Sequence, residues 1–171
     1  AAENEIGQFW LEKHSTFARS KIRIFWKIRK RADFKHFNLK EYHGIALLDS
    51  NGKLVEDFVV GVGFNGSVKK VVAQPDLKII VGGLFTEYQD ESANRIIRLD
   101  RVGSVDDSFD IGTGANAAIY EIDLQADGKI NLGGDFSVFN GLNKNAIVRL
   151  NTDGGVDPTI NFGTGANGSV L

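Results

Sequence analysis

The segment Ile45-Ala-Leu-Leu-Asp-Ser-Asn-Gly52 returns as Ile96-Ile-Arg-Leu-Asp-Arg-Val-Gly103 and again as Ile147-Val-Arg-Leu-Asn-Thr-Asp-Gly154, at a spacing of 51 residues each time. No insertion breaks the register. Gly61-Val-Gly63-Phe-Asn65 likewise matches Gly112-Thr-Gly114-Ala-Asn116 and Gly163-Thr-Gly165-Ala-Asn167, and Gln74-Pro-Asp-Leu-Lys-Ile-Ile-Val-Gly-Gly-Leu-Phe85 matches Gln125-Ala-Asp-Gly-Lys-Ile-Asn-Leu-Gly-Gly-Asp-Phe136. A fixed period of this length means that each copy is one small folding unit burying its apolar surface on its neighbours. Units start near residues 44, 95 and 146, and about three and a half of them fit in the chain.

Within a unit the apolar pattern reads as four short strands, in the second copy Arg95 to Asp100, Val105 to Phe109, Ala118 to Gln125 and Lys129 to Gly133. Asp127-Gly128 between two such runs signals a two-residue hairpin with positive φ at both central positions, as do Asp153-Gly154 and Asn51-Gly52. The pairs Gly82-Gly83 and Gly133-Gly134 end a strand where a side chain would obstruct a close neighbour or where the backbone must bend. Twenty glycines against two prolines fit many tight turns and not a flexible linker. Four strands in about 50 residues are the content of a propeller blade. The glycine placement excludes a helical solenoid; a β-helix needs a shorter period, and the ladder of a leucine-rich horseshoe is absent. The expected fold is all-β, an incomplete β-propeller of four-stranded blades.

Pushed back by one period, the register lays Asp33-Phe34-Lys-His-Phe37-Asn38 on Asp135-Phe136-Ser-Val-Phe139-Asn140 and Lys27-Ile28 on Lys129-Ile130. Residues 20–43 therefore read as a divergent partial blade, with Arg31 and Ala32 in place of the glycine pair. Residues 1–19 read as an N-terminal arm or short helix, because Ile6, Phe9 and Trp10 within Glu3 to Phe17 have helical spacing. With no methionine and Ala1-Ala2 at its start, the chain is expected to be a processed or partial product.

The boxes from Gln125 to Phe136, Asn140-Gly141, Ala146 to Asp157 and Gly163 to Asn167 resemble the delta-60 repeat. The resemblance covers Gly44 to Leu171 strongly and Ser20 to His43 weakly. It implies a β-propeller of the kind found in bacterial surface or secreted proteins and in phage virion proteins, tail-associated ones included. It also implies binding or scaffolding in place of a defined reaction, hence an extracellular, cell-surface or virion location.

Composition narrows the chemistry. Lys plus Arg number 20 against 22 Asp plus Glu, which leaves no cationic excess for a phosphate backbone, so no specific nucleic-acid partner is expected. Without cysteine there is no disulfide, thiolate nucleophile or Cys-ligated zinc. No apolar run approaches the roughly 18 residues of a membrane span, so no transmembrane segment is expected. The recurring carboxylates Asp76 and Asp127, and Asp106 and Asp157, are explained as turn or cap residues that each unit needs. Adjacent Asp106 and Asp107 would point to opposite faces of a strand and so fail to converge as an acid–base pair. The turns at Asp49 to Gly52 and Asn151 to Gly154 lack the further oxygen ligands of a calcium loop, since Val60 and Phe162 stand at the twelfth position. Gly61-Val-Gly63 and Gly112-Thr-Gly114 lack the third glycine and following helix of a phosphate loop. His14, His36 and His43 are unpaired with any metal-ligand pattern. No catalytic residue, metal ligand or cofactor is nominated.

Two contact surfaces remain. Glu87, Tyr88, Gln89, Asp90 and Glu91 depart from their counterparts Val138 to Leu142 and are candidate ligand-binding loop residues. Residues 1–43 carry ten Lys/Arg against five acids, while 44–171 carry ten against seventeen, so net charges of +5 and −7 divide the chain. Lys21, Arg23, Trp26, Lys27, Arg29, Lys30 and Arg31 are candidate contacts for an anionic surface or partner, although the alternation of Lys21-Ile-Arg-Ile favours a strand of a divergent edge blade that caps the stack over an amphipathic membrane helix or a nucleic-acid arm. The expected role is a noncatalytic adhesion or assembly scaffold. Its expected partners are a protein or further copies completing the propeller, and a cell-surface glycan. The alternative is a fragment of a propeller hydrolase or lyase whose active site lies outside this chain.

Overall fold

A computed structural model describes residues 44–49 and 53–170, together with the backbone of four strands within residues 6–41. The strands are Ile6–Leu11 (β1), Ile22–Lys27 (β2), His36–Phe37 (β3), Lys40–Glu41 (β4), Ile45–Leu48 (β5), Val68–Ala73 (β6), Ile79–Gly83 (β7), Glu87–Tyr88 (β8), Glu91–Ser92 (β9), Ile96–Leu99 (β10), Ile119–Leu124 (β11), Ile130–Gly134 (β12), Val138–Phe139 (β13), Leu142–Asn143 (β14) and Ile147–Leu150 (β15). They make one arrangement three times. Antiparallel sheets form in the orders β1-β2-β5, β6-β7-β10 and β11-β12-β15, and a two-residue-stranded hairpin (β3-β4, β8-β9, β13-β14) interrupts the link from second to third strand. The expected fourth strand is reduced to single bridges, Leu48 to Leu54, Leu99 to Val105 and Leu150 to Val156. After Val105 the chain turns at once, with Phe109 donating to the Asp106 carbonyl at 3.0 Å. Among the described residues the sheets do not close a ring.

Strand alternation gives the second sheet two apolar faces, and the cores lie between sheets. Val71, Val81 and Ile97 join Ile45, Leu47, Phe58 and Phe64 between the first and second sheets. Val72, Ile80 and Ile96 join Ile119, Ile122, Leu132 and Val148 between the second and third. The repeated residues Ile45, Ile96 and Ile147 hold one register position, opposite Trp26, Gly82 and Gly133. Ile45 and Ile96 are fully buried, while Ile147 is half-buried on the outward face of the third sheet.

The two glycines of each pair do different work. A Cβ on Gly82 would lie 2.8 Å from Ile122 Cδ1, so the first glycine lets the next sheet's inner strand approach. A Cβ on Gly83 would lie 2.2 Å from the Ser67 carbonyl, and one on Gly134 2.1 Å from that of Ala118, so the second glycine admits backbone. That crowding marks a β-bulge: the β6–β7 register shifts between Val68 and Lys70, and the β11–β12 register between Ile119 and Glu121.

Three expectations are corrected. Ile6–Leu11 is a strand, not a helix, because β2 offers it an antiparallel ladder from Ile6–Lys27 to Leu11–Ile22; helical spacing over so few residues does not outweigh a full set of backbone partners. The backward register is also displaced. Leu99 pairs with Ile79 and Leu150 with Ile130, yet Leu48 pairs with Arg23 where the uninterrupted period would put Ile28. The β3–β4 hairpin, by contrast, stays one period before β8–β9, so the extra length falls between β2 and β3. Finally, the Asp127-Gly128 turn has positive φ only at Gly128 (84°), and Gln125 N donates to Lys129 O at 2.8 Å, which makes a three-residue loop ending in a left-handed glycine.

Candidate functional site

Two rims result. At one lie the β8–β9 and β13–β14 hairpins, together with the crossovers that carry the Gly-x-Gly-x-Asn boxes. Asn65 Oδ1 accepts from the amides of Thr86 (2.8 Å) and Glu87 (3.0 Å), and its Nδ2 donates to Thr86 Oγ1 at 2.9 Å. Asn116 clasps Ser137 and Val138 in the same way. The asparagines of the first two boxes therefore pin a hairpin to the incoming chain, and their recurrence is structural.

Of the five loop candidates, Glu87, Asp90 and Glu91 are exposed on the β8–β9 hairpin and Gln89 is half-buried. Tyr88 is corrected: it is 0% exposed, stacked 4.6 Å from Phe64, with its hydroxyl donating to the Gly103 carbonyl at 2.6 Å. Hairpin alternation turns it inward, at the position of the buried Phe139. Burial pushes its phenol up to about 12, reinforced by the charge of Asp100 and opposed by the hydrogen bond from Gln89. Among the basic candidates, Arg23, Trp26 and Lys27 lie in β2, the central strand of the first sheet. Lys21, Arg29, Lys30 and Arg31 lie outside the described residues, as do His14 and His43; His36 begins β3.

The opposite rim holds the aspartate turns. Asp100 Oδ1 accepts from Val102 N and Ser104 N, both at 2.9 Å, Asp127 from Lys129 N at 3.1 Å and Asp153 from Gly155 N at 3.0 Å. Nearby, Asp106 Oδ2 meets Arg98 Nε at 2.6 Å and Lys78 Nζ at 2.7 Å. Buried Arg98 stacks 4.6 Å from the Phe109 ring and reaches into the third sheet, where its Nη1 donates to the Thr152 carbonyl at 2.6 Å. Asp157, Arg149 and Lys129 repeat the cluster, with contacts of 2.7 and 2.9 Å. Burial alone would raise the Asp106 carboxyl, but hydrogen bonds from Lys78, Ser108 and Arg98 outweigh it and hold the group well below the usual range. Lys129 chiefly does the same for Asp157, helped by Thr159 and Arg149. These carboxylates are occupied as ties between strands and sheets.

One cluster escaped the reading of the sequence. Tyr120 donates its hydroxyl to Asp135 Oδ2, and Ser169 donates to Asp135 Oδ1. Ser169 and Tyr120, in that order, lower the Asp135 carboxyl, and Asp135 in turn raises Tyr120. Close by in sequence, Lys70 of the second sheet pairs with Glu121 of the third, the same position one period on. The signal available was departure from the repeat: Lys69 and Leu84 stand where the next copy has Tyr120 and Asp135. Among the described residues no group of three or more His, Asp or Glu is arranged to hold a metal ion, and no helix is long and apolar enough to cross a membrane.

The chain matches a family described as a β-propeller domain of unknown function (DUF5122) over residues 74–109 and 125–159. Each stretch runs from the turn after the inner strand, through the glycine pair and the hairpin, to just beyond the fourth-strand bridge. These are β-propeller-type repeats. Each sheet with its hairpin is accordingly a blade, and the set is an incomplete propeller. No curated protein and no solved structure matches the chain.

Proposed function

We propose that these blades form a noncatalytic structural and binding module of the delta-60 type, belonging to a bacterial surface or secreted protein or to a phage tail. The carrying observation is how the carboxylates divide. Those that recur in successive blades are engaged in the scaffold: Asp76 and Asp127 in turn amides, Asp106 and Asp157 in ion pairs. Those that vary, Glu87, Asp90, Glu91 and Asp135, sit exposed on blade rims. A fixed scaffold presenting variable rim residues is how a binding module diversifies. A ring takes at least about four blades, so further sheets complete it, from more of the same polypeptide, from a partner protein or from further copies. The test is a screen of the protein against bacterial cells, glycan arrays and a panel of ester and glycoside substrates. Saturable binding without turnover is expected. Turnover that survives purification to homogeneity overturns the reading in favour of a hydrolase or lyase.

A further inference from the structure

We propose that Tyr120, Asp135 and Ser169 form a recognition point for carbohydrate hydroxyls on the third blade, which rests on the binding-module reading above. The fold does not call for these side chains. Asp135 donates its amide to the Ala118 carbonyl at 2.9 Å, and Leu84, one period earlier, donates to the Ser67 carbonyl at 2.8 Å. The backbone is thus served equally by a carboxylate or by an exposed leucine. Tyr120 is the extra residue of the bulge between Ile119 and Glu121, where the preceding blade has Lys69. A bulge frees its side chain from the pairing pattern and re-aims it.

The chemistry favours hydroxyl-bearing ligands. Each Asp135 oxygen already accepts one O–H, from Tyr120 and from Ser169. An ionised carboxylate offers about four lone-pair directions, so about two stay open to further donors, while the Tyr120 and Ser169 oxygens keep acceptor capacity. Acceptor oxygens on three adjoining side chains complement the O–H donors of neighbouring hydroxyls on a sugar ring. The half-buried Tyr120 ring supplies a rigid apolar platform at low entropic cost. A basic ligand is less well served: the cluster has one carboxylate, and the exposed acids Glu87, Asp90 and Glu91 belong to the second blade.

The test compares wild type with Asp135→Leu and Tyr120→Lys, which transplant residues that the second blade already folds with, and with the isosteric Asp135→Asn. Thermal melting establishes that each variant is folded. The probe is an array of glycans ending in neutral hexose, N-acetylhexosamine and sialic acid, followed by titration of the best binder. Loss of about tenfold or more in affinity is expected for all three variants, as for a hydrogen bond to a charged group, with no change for Asp107→Asn, an exposed carboxylate outside both rim clusters. Wild type binding no glycan, folded variants binding undiminished, or Asp135-dependent binding of polylysine instead would each overturn the site. None of these outcomes touches the noncatalytic reading, which only turnover overturns.

Discussion

At Leu77 the backbone takes φ of 72°, where the next blade has Gly128 at 84°. A side chain in this left-handed region costs about 1 kcal/mol through contact of its Cβ with the following carbonyl. Leu77→Gly is therefore expected to stabilise the protein by about 1 kcal/mol and to raise the Tm by about 3 °C, as read by calorimetry. A lower Tm would mean that the half-buried leucine contributes more than its strain removes. Tyr88 makes a second prediction. Its phenol titrates at about 12 in the fold against an ordinary 10. An acid whose pKa is raised by folding contributes stability below its ordinary value, and that contribution is lost as pH climbs from 10 to 12. Urea unfolding of wild type should weaken across this interval, and Tyr88→Phe should flatten the profile. It should also lower stability by about 1 kcal/mol at neutral pH, because the Gly103 carbonyl loses its donor.

The blade is the smallest element in which the repeated glycines make sense. Gly134→Ala would put a methyl 2.1 Å from the Ala118 carbonyl, where only backbone can yield. A loss of about 3 kcal/mol is expected in urea titration, against a much smaller one at Gly168, whose added Cβ meets nothing. The periodic boxes made these glycines, the turn aspartates and the strand order legible, because each constraint is written two or three times. What occurs once was harder to read. Ile6–Leu11 looked helical since Ile6, Phe9 and Trp10 share helical spacing, and only the ladder with β2 decides against it. Tyr88 sat inside an acidic run that reads as solvated loop, and its inward direction follows from a hairpin only two residues deep. The Tyr120–Asp135–Ser169 cluster joins three points of the chain through a bulge and a crossover, neither of which leaves a local motif.

Across the molecule, the two seams between sheets differ in kind. Between the first and second sheets Leu47 and Val55 stand at the positions that Arg98 and Asp106 occupy one period later. Among the described residues the first seam is filled by an apolar cluster, and the second is crossed by the Arg98 guanidinium bound to the Thr152 carbonyl and held in place by Asp106. Lys78, Ser108 and Arg98 keep the Asp106 carboxyl below its ordinary value of 3.8 despite its burial. A carboxyl depressed by folding contributes stability above that ordinary value, and the contribution disappears as pH falls through the lowered one. Acid should therefore loosen the second seam before the first. Hydrogen-exchange mass spectrometry from pH 6 down to well below the ordinary carboxylate range is expected to show early loss of protection in β11, β12 and β15, where the pairing of Asp157 with Lys129 and Arg149 is lost as well. Protection in β5 and β6 should last longer, since apolar contacts do not titrate. Replacing Asp106 and Asp157 together by asparagine should weaken the second seam at every pH and so remove the pH dependence of the difference between seams. Equal loss in all three sheets would mean that the ion pairs are incidental to how the blades hold together.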